Sequence, residues 1–328
     1  MDYQPIPRVP GAFQQPVSEA AIEAISRRAF GDGARVTAAV ELGGGMYNTT
    51  LRVSLAGQER PVILRVAPRP EDQFRSEREL MRTEYASVPH LAAIAPLMPR
   101  VIAADWSHEV IGRDWMIQSF LDGIPAPERL GAYPRTLWPG FFRQLGAVAK
   151  SVHAVRGERF GPVSGPGYSS WSDALAASFA DIVTDLDAVG LDAADLRKAA
   201  GLVDEHRAAF DEISEPLLLS GDFWTINCLL DASAPVPTLS GVFDFDRTLW
   251  GDPAADWTIR MVMAKSDERR AFWDTYGSLD ESEDAGWRRQ IYEARHLGAI
   301  RLERHRLGNS EGVRYSYESM AQILSAVA

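Results

Sequence analysis

The chain has 328 residues, 46% hydrophobic and 24% charged, enough for two domains with buried cores, and this balance argues against disorder or a membrane span. A net charge of −11 excludes a general nucleic-acid binder, because polyanion binding rests on clustered Lys and Arg. The start, MDYQPIPRVPGAF, lacks the basic-then-apolar pattern of a secretory signal, and the one cysteine, Cys228, cannot close an internal disulfide; both predict a cytoplasmic protein.

After a proline-punctuated lead, VSEAAIEAISRRAF (17–30) sets Ile22, Ile25 and Ala29 at helical spacing behind Ser18 as N-cap. Three short β-branched runs follow, VTAAVEL, TTLRVSLA and PVILRV, separated by GGGMYN and GQER, which predicts an antiparallel meander. Residues 71–88 read as one helix, and VIAADW and DWMIQSFL as two more strands. From residue 124 the pattern is mainly helical, clearest over 137–155, 171–190 and 193–212. Glycine and proline in FLDGIPAP place the boundary between the halves. The expectation is an α+β plan: a small N-terminal β lobe over 1–118, a connector over 119–123 and a large C-terminal helical lobe over 124–328.

Within the helical half, residues 171–215 carry eleven acidic residues against three basic ones. Such a run is a solvated helical face, or a wall that attracts a cationic substrate. Two apolar strand-like runs, LLLSGDFWTINCLLD and LSGVFDFD, interrupt the helices.

VFDFDRTL taken alone matches the first motif of haloacid-dehalogenase phosphatases, and GDPAAD matches their late acidic motif. The second begins only five residues after Asp246, whereas each strand-crossover-strand unit of that fold needs about 30 residues. The two motifs therefore cannot both serve a phosphatase. Phosphoryl transfer asks for a carboxylate near the acceptor hydroxyl and for oxygen ligands to a hard cation. In SGDFWTIN, Asp222 is the candidate base and Asn227 a candidate metal ligand; Asp244 follows 22 residues after Asp222, enough for a strand, turn and strand to return it.

At these residues the sequence resembles the aminoglycoside phosphotransferase and choline kinase-like family, relatives of the protein kinases, over roughly residues 36–260. Ser220, Gly221, Asp222 and Asn227 match its catalytic loop, with Ser220 in place of the usual His. Val242, Phe243, Asp244, Phe245 and Asp246 match its metal segment, and Gly251, Asp252, Pro253 and Asp256 the stretch after it. The resemblance implies a bilobal protein kinase-like fold and a phosphotransferase using ATP or GTP with magnesium on Asn227 and Asp244. It further implies a glycine-rich hairpin (Gly44, Gly45, Asn48) over the phosphates, with Tyr47 where a smaller residue is common. Arg65 would grip the phosphates, oriented by Glu84 or, in reserve, Glu77, and the backbone of Ser119 and Leu121 would read the base. His153 would be a structural histidine, Asp246 either a metal contact or a support, and Asp252 and Asp256 braces. The implied acceptor is a hydroxylated small molecule, above all a cationic aminoglycoside or another sugar or nucleoside antibiotic on which Trp138, Trp171 and Trp224 could stack. Choline, homoserine or sugar phosphorylation is the alternative, and a nucleotide-binding protein without transfer activity a further one.

Overall fold

The structure, a computed structural model, describes residues 1–9 and 11–327. It separates into two compact units, Met1–Gln73 with Leu97–Asp122, and Phe74–Pro96 with the chain from Gly123 onward.

The first unit is a six-stranded sheet, β1 (Asp2–Gln4), β2 (Val36–Glu41), β3 (Thr49–Leu55), β4 (Val62–Val66), β5 (Val101–Asp105) and β6 (Trp115–Ser119), in the order β1-β2-β3-β4-β6-β5. β1 runs parallel to β2 and every other pair is antiparallel. Alternation decides the faces: Leu51, Val53, Leu64 and Val66 lie in one buried cluster with Ile22 and Ile25 of α1 (Glu19–Phe30). Full burial of each such side chain is worth about 1.5–3 kcal/mol. Ser18 Oγ accepts from the Ala21 amide at 3.2 Å, so the helix starts where its cap was expected. The register Thr49↔Val66 and Val62↔Ser119 puts the glycine-rich hairpin at the end of β4 away from Ser119. The strand β1 lay in the lead, where three residues carry no periodicity to read.

The first α-helix of the second unit is α2 (Leu80–Ser87). The single helix expected over 71–88 is instead two 3-10 turns, Pro70–Asp72 and Arg75–Glu77, followed by α2, with Glu79 at φ 59 before it. Tertiary bonds cause the break. Asp185 accepts from the Arg75 and Ser76 amides at 2.7 and 2.8 Å, and Glu77 turns inward to pair with Arg247 and Arg306. The same bonds place residues 74–96, expected in the N-terminal lobe, in the second unit.

From Gly123 the chain continues through β7 (Ile124–Pro125), α3 (Ala126–Arg129), α4 (Trp138–His153), β8 (Gly161–Pro162), α5 (Trp171–Ala188), α6 (Ala194–Glu205) and α7 (Arg207–Asp211). The helix expected over 193–212 is divided at His206, where φ −115 and ψ 33 interrupt it. Strands β9 (Leu217–Leu219), β10 (Cys228–Leu230), β11 (Leu239–Val242) and β12 (Leu249–Gly251) form two small sheets, β11-β10-β7 and β8-β12-β9. Helices α8 (Trp257–Met263), α9 (Ser266–Arg269), α10 (Trp273–Tyr276), α11 (Glu283–Arg306) and α12 (Ser310–Ala326) complete it. A large core joins α5, α6, α11 and α12 through Phe179, Ile182, Leu196, Ile291, Leu297 and Met320. No described helix is long and apolar enough to cross a membrane.

His296 of α11 is buried, and its Nε2 lies 3.0 Å from the Ala255 carbonyl, so the neutral ring donates there. Burial, with the cations Arg295 and Arg260 near, pulls its pKa down to about 3. The unfolded chain therefore binds a proton that the folded one refuses, and stability must fall as pH drops below about 6.5, by about 2 kcal/mol at pH 5. Chemical unfolding of the wild type and His296→Gln at pH 7 and 5 checks this: the variant should lose less stability between the two.

Candidate active site

The loop after β9 turns at Gly221, whose φ is 79 and where a Cβ would overlap the Arg247 carbonyl. Only glycine fits on both counts. Asp256, 1% exposed, gathers this turn. Its Oδ2 accepts from the Ser220 amide and hydroxyl, each at 2.7 Å, and lies 2.7 Å from His153 Nε2; its Oδ1 accepts from Gly221 N at 3.3 Å. His153 Nδ1 lies 2.7 Å from the Tyr276 hydroxyl. Burial would raise the Asp256 pKa, but the donors His153 and Ser220 outweigh it and hold the carboxylate ionised below its ordinary range. Ser220 thus supplies two donors to the same carboxylate.

Asp222 follows the turn, half-buried. Burial pushes its pKa up to about 7 against the opposing charge of Arg247, with Asp244 adding to the rise. Asn227 Nδ2 donates to the Asp222 carbonyl at 2.8 Å, which leaves Oδ1 as the oxygen able to meet a cation. The hairpin β10–β11 pairs Cys228 with Val242, and the Phe243 amide donates to the Asn227 carbonyl at 3.1 Å. Strand, turn and strand therefore bring Asp244 back to the loop. Asp244 sits at φ 69, a left-handed conformation that costs a non-glycine residue about 1–2 kcal/mol. An amide oxygen and a carboxylate are the donor types a hard cation takes, and magnesium commonly completes its shell with substrate phosphates and water. Among the described residues, no group of three or more His, Cys, Asp or Glu could hold a metal by itself.

Asp246 is buried, its charge felt by Arg247. Arg247 pairs with Glu77 at 3.0 Å and also acts on Asp222. The sequence reading did not single out Arg247, whose signal is only its place directly after Asp246, and Glu77 turns out to serve Arg247 and Arg306.

In the first unit Arg65 is buried on β4, at the parity opposite to the core-facing Leu64 and Val66. The hairpin has Gly44 at φ 93. Gln14 Nε2 donates to the carbonyls of Gly45 and Asn48 at 3.1 and 2.8 Å, and Asn48 Oδ1 is buried without a hydrogen-bond partner. The Ser119 amide donates to Arg100 O at 2.8 Å, so that proton is committed to the sheet, and Leu121 lies two residues beyond β6. Glu84 is buried on α2, in the second unit.

A cavity of about 320 Å³ in the second unit borders the Asp222 loop through Trp224 and Thr225. Its other walls include Trp138, Phe142, Arg135, Lys265 and Arg269. Arg135 lies 3.8 Å over the Trp138 ring and Arg269 4.8 Å over Trp224. Trp171 is not available for stacking: it is 2% exposed and donates to Tyr292 Oη at 2.9 Å. The carboxylates of 171–215 do not line this cavity. Many are engaged within the fold, Asp173 with Arg207, Asp187 with Arg197, Asp195 with Arg301 and Glu212 with Arg288.

Removing the gathering carboxylate should be costly. Asp256→Ala strands five donors, those of Ser220 (amide and hydroxyl), Gly221, His153 and the Thr258 amide, and a loss of more than about 3 kcal/mol is expected in urea unfolding. Gly221→Ala should cost more than about 2 kcal/mol by the same measurement, since strain and overlap add.

A family model described as the phosphotransferase enzyme family (APH) matches residues 38–291. Solved structures share the fold at low identity. A thermostable mutant of aminoglycoside phosphotransferase APH(4)-Ia in its apo form is 20% identical, with 93% of this chain and 99% of that one covered and a TM-score of 0.66. A protein named as a fructosamine-3-kinase from Haemophilus somnus 129PT is 17% identical, with 92% and 96% covered and a TM-score of 0.65. The GDP and kanamycin complex of APH(2")-IIIa is 14% identical, with 94% and 99% covered and a TM-score of 0.64. No curated protein sequence matches the chain.

Proposed function

From the premise that the chain belongs to the phosphotransferase enzyme family, we propose that it transfers the γ-phosphoryl group of ATP or GTP to a hydroxyl of a ring-bearing small molecule. The observation that carries this reading is the loop-and-hairpin pairing of Asp222 with Asn227 and Asp244. Asp222, with burial raising its pKa, accepts the acceptor hydroxyl's proton. The hydroxyl oxygen bonds to phosphorus as the bond to the leaving nucleoside diphosphate breaks, giving a phosphate monoester. Magnesium, held by Asn227 and Asp244, would neutralise the phosphate oxygens. Arg65 clamps those oxygens with its planar fork, Glu84 orients it, and Gly44, Gly45 and Asn48 cover the phosphates. The orphaned Asn48 Oδ1 supports a role for that side chain toward a ligand or its water. Backbone groups at Ser119 and Leu121 are assigned to the base.

For the acceptor, neighbours of the same fold were solved with hygromycin B and with kanamycin, which supports an antibiotic hydroxyl and a role in resistance. The fructosamine-3-kinase neighbour, with a cavity beside Trp224 whose charged lining is Arg135, Lys265 and Arg269 against Glu268, which pairs with Arg135, favours a second reading, a sugar-like metabolic acceptor.

Two experiments test the proposal. Asp222→Asn should lower kcat by about 10²–10⁴-fold with nucleotide affinity nearly unchanged, measured by phosphate transfer to the accepted substrate; full turnover would remove Asp222 as the base. Asp244→Asn should weaken nucleotide binding in magnesium but not in its absence, read by calorimetry. The acceptor is decided by mass gain of one phosphate across aminoglycosides, nucleoside antibiotics, macrolides, sugars and sugar acids, with each nucleotide.

A further inference from the structure

A second cavity, of about 400 Å³, opens in the first unit and is lined by Gln15, Pro16, Arg69, Glu71, Ile111 and Arg113. Arg113 is only 9% exposed, and its Nη1 is buried with no hydrogen-bond partner. Among the described residues no carboxylate pairs with it. Asp114, next in sequence, lies 2.8 Å from His108 Nε2, and Asp72 and Glu71 sit 2.8 and 3.7 Å from Arg69. A guanidinium nitrogen left in this condition is costly, because that N–H group has lost water without gaining an acceptor. Burial and the like charge of Arg69 both lower its pKa, which is the electrostatic sign of a missing anion.

We propose that this cavity binds a phosphate-sized oxyanion, free or as the phosphate of a small metabolite, between Arg113 and Arg69. The forked donors of two guanidinium groups suit such oxygens, and the volume exceeds what phosphate alone fills, so an organic portion fits beside Ile111 and Pro16. The site is distinct from the nucleotide's own phosphates. Ile111 packs against the cluster containing α1, the face opposite Arg65. Its wall also reaches the hairpin: Thr49 Oγ1 donates to the Gln15 carbonyl at 2.8 Å, and Gln14 holds Gly45 and Asn48. An anion that orders this wall therefore also stiffens the base of the glycine-rich hairpin.

The test is thermal unfolding of the full chain in phosphate-free buffer, titrated with inorganic phosphate at constant ionic strength. Wild type should show a saturable rise in Tm. Arg113→Met should abolish the rise, and Arg65→Met, which disables the nucleotide's phosphate grip, should keep it. If Arg113→Met does not fold, Arg69→Gln is read instead and should weaken phosphate by about tenfold or more. Repeating the titration with glucose 6-phosphate separates the sources: tighter binding than inorganic phosphate assigns the rest of the cavity to an organic portion, and equal binding assigns the site to free phosphate. No saturable rise in wild type, or a rise that vanishes in Arg65→Met and survives in Arg113→Met, overturns the proposal.

Discussion

A single buried carboxylate organises the candidate active site. Asp256 accepts from the backbone and hydroxyl of Ser220, from the backbone of Gly221 and from His153, and these donors hold it ionised despite complete burial. Its bonds reach helix α4 through His153 and the tip of β9 through Ser220, so this network fixes the turn before Asp222, and Asn227 holds Asp222 itself. The positive φ of Gly221 belongs to the same constraint: the turn must pass the Arg247 carbonyl closely, and only a residue without Cβ can do so.

Charge around Asp222 follows from that arrangement. Arg247 opposes the rise that burial and Asp244 impose, while Glu77 neutralises the other side of Arg247. The result is a carboxylate whose pKa is poised near neutrality, as a proton acceptor at physiological pH requires. The same unit uses its acidic segment differently from the simplest expectation. Several carboxylates of 171–215 pair with arginines or accept from backbone amides, as Asp195 does for the buried Arg301 and Asp185 for Arg75 and Ser76, so part of the local charge excess is engaged within the fold. The cavity next to the loop is instead lined by Trp138, Phe142 and Trp224 together with Arg135, Lys265, Arg269 and the carboxylate Glu268.

Local patterning made much of this protein legible. Short β-branched and apolar runs bounded by turn residues marked β2 to β6, and Ser18 marked the start of α1. The motif order Ser220-Gly221-Asp222, Asn227, Asp244 named the candidate site because a hairpin of known length returns the last residue to the first. What patterning missed has a common cause. The break before α2, the inward turn of Glu77, the pairing of Arg247 and the burial of Trp171 are all imposed by residues tens to hundreds of positions away.

The sequence by itself thus determined the element types, the family and the list of candidate site residues, since these depend on spacing within a few turns of chain. Only the tertiary structure decided which carboxylates are spent on the fold, which unit residues 74–96 join, and which guanidinium nitrogens, among the described residues, lack a partner. Arg113 is an example: Asp114, its neighbour in sequence, meets His108, and Arg113 Nη1 is left buried without a hydrogen-bond partner beside the cavity. Pairing depends on three-dimensional proximity, and a charge count along the chain does not contain it.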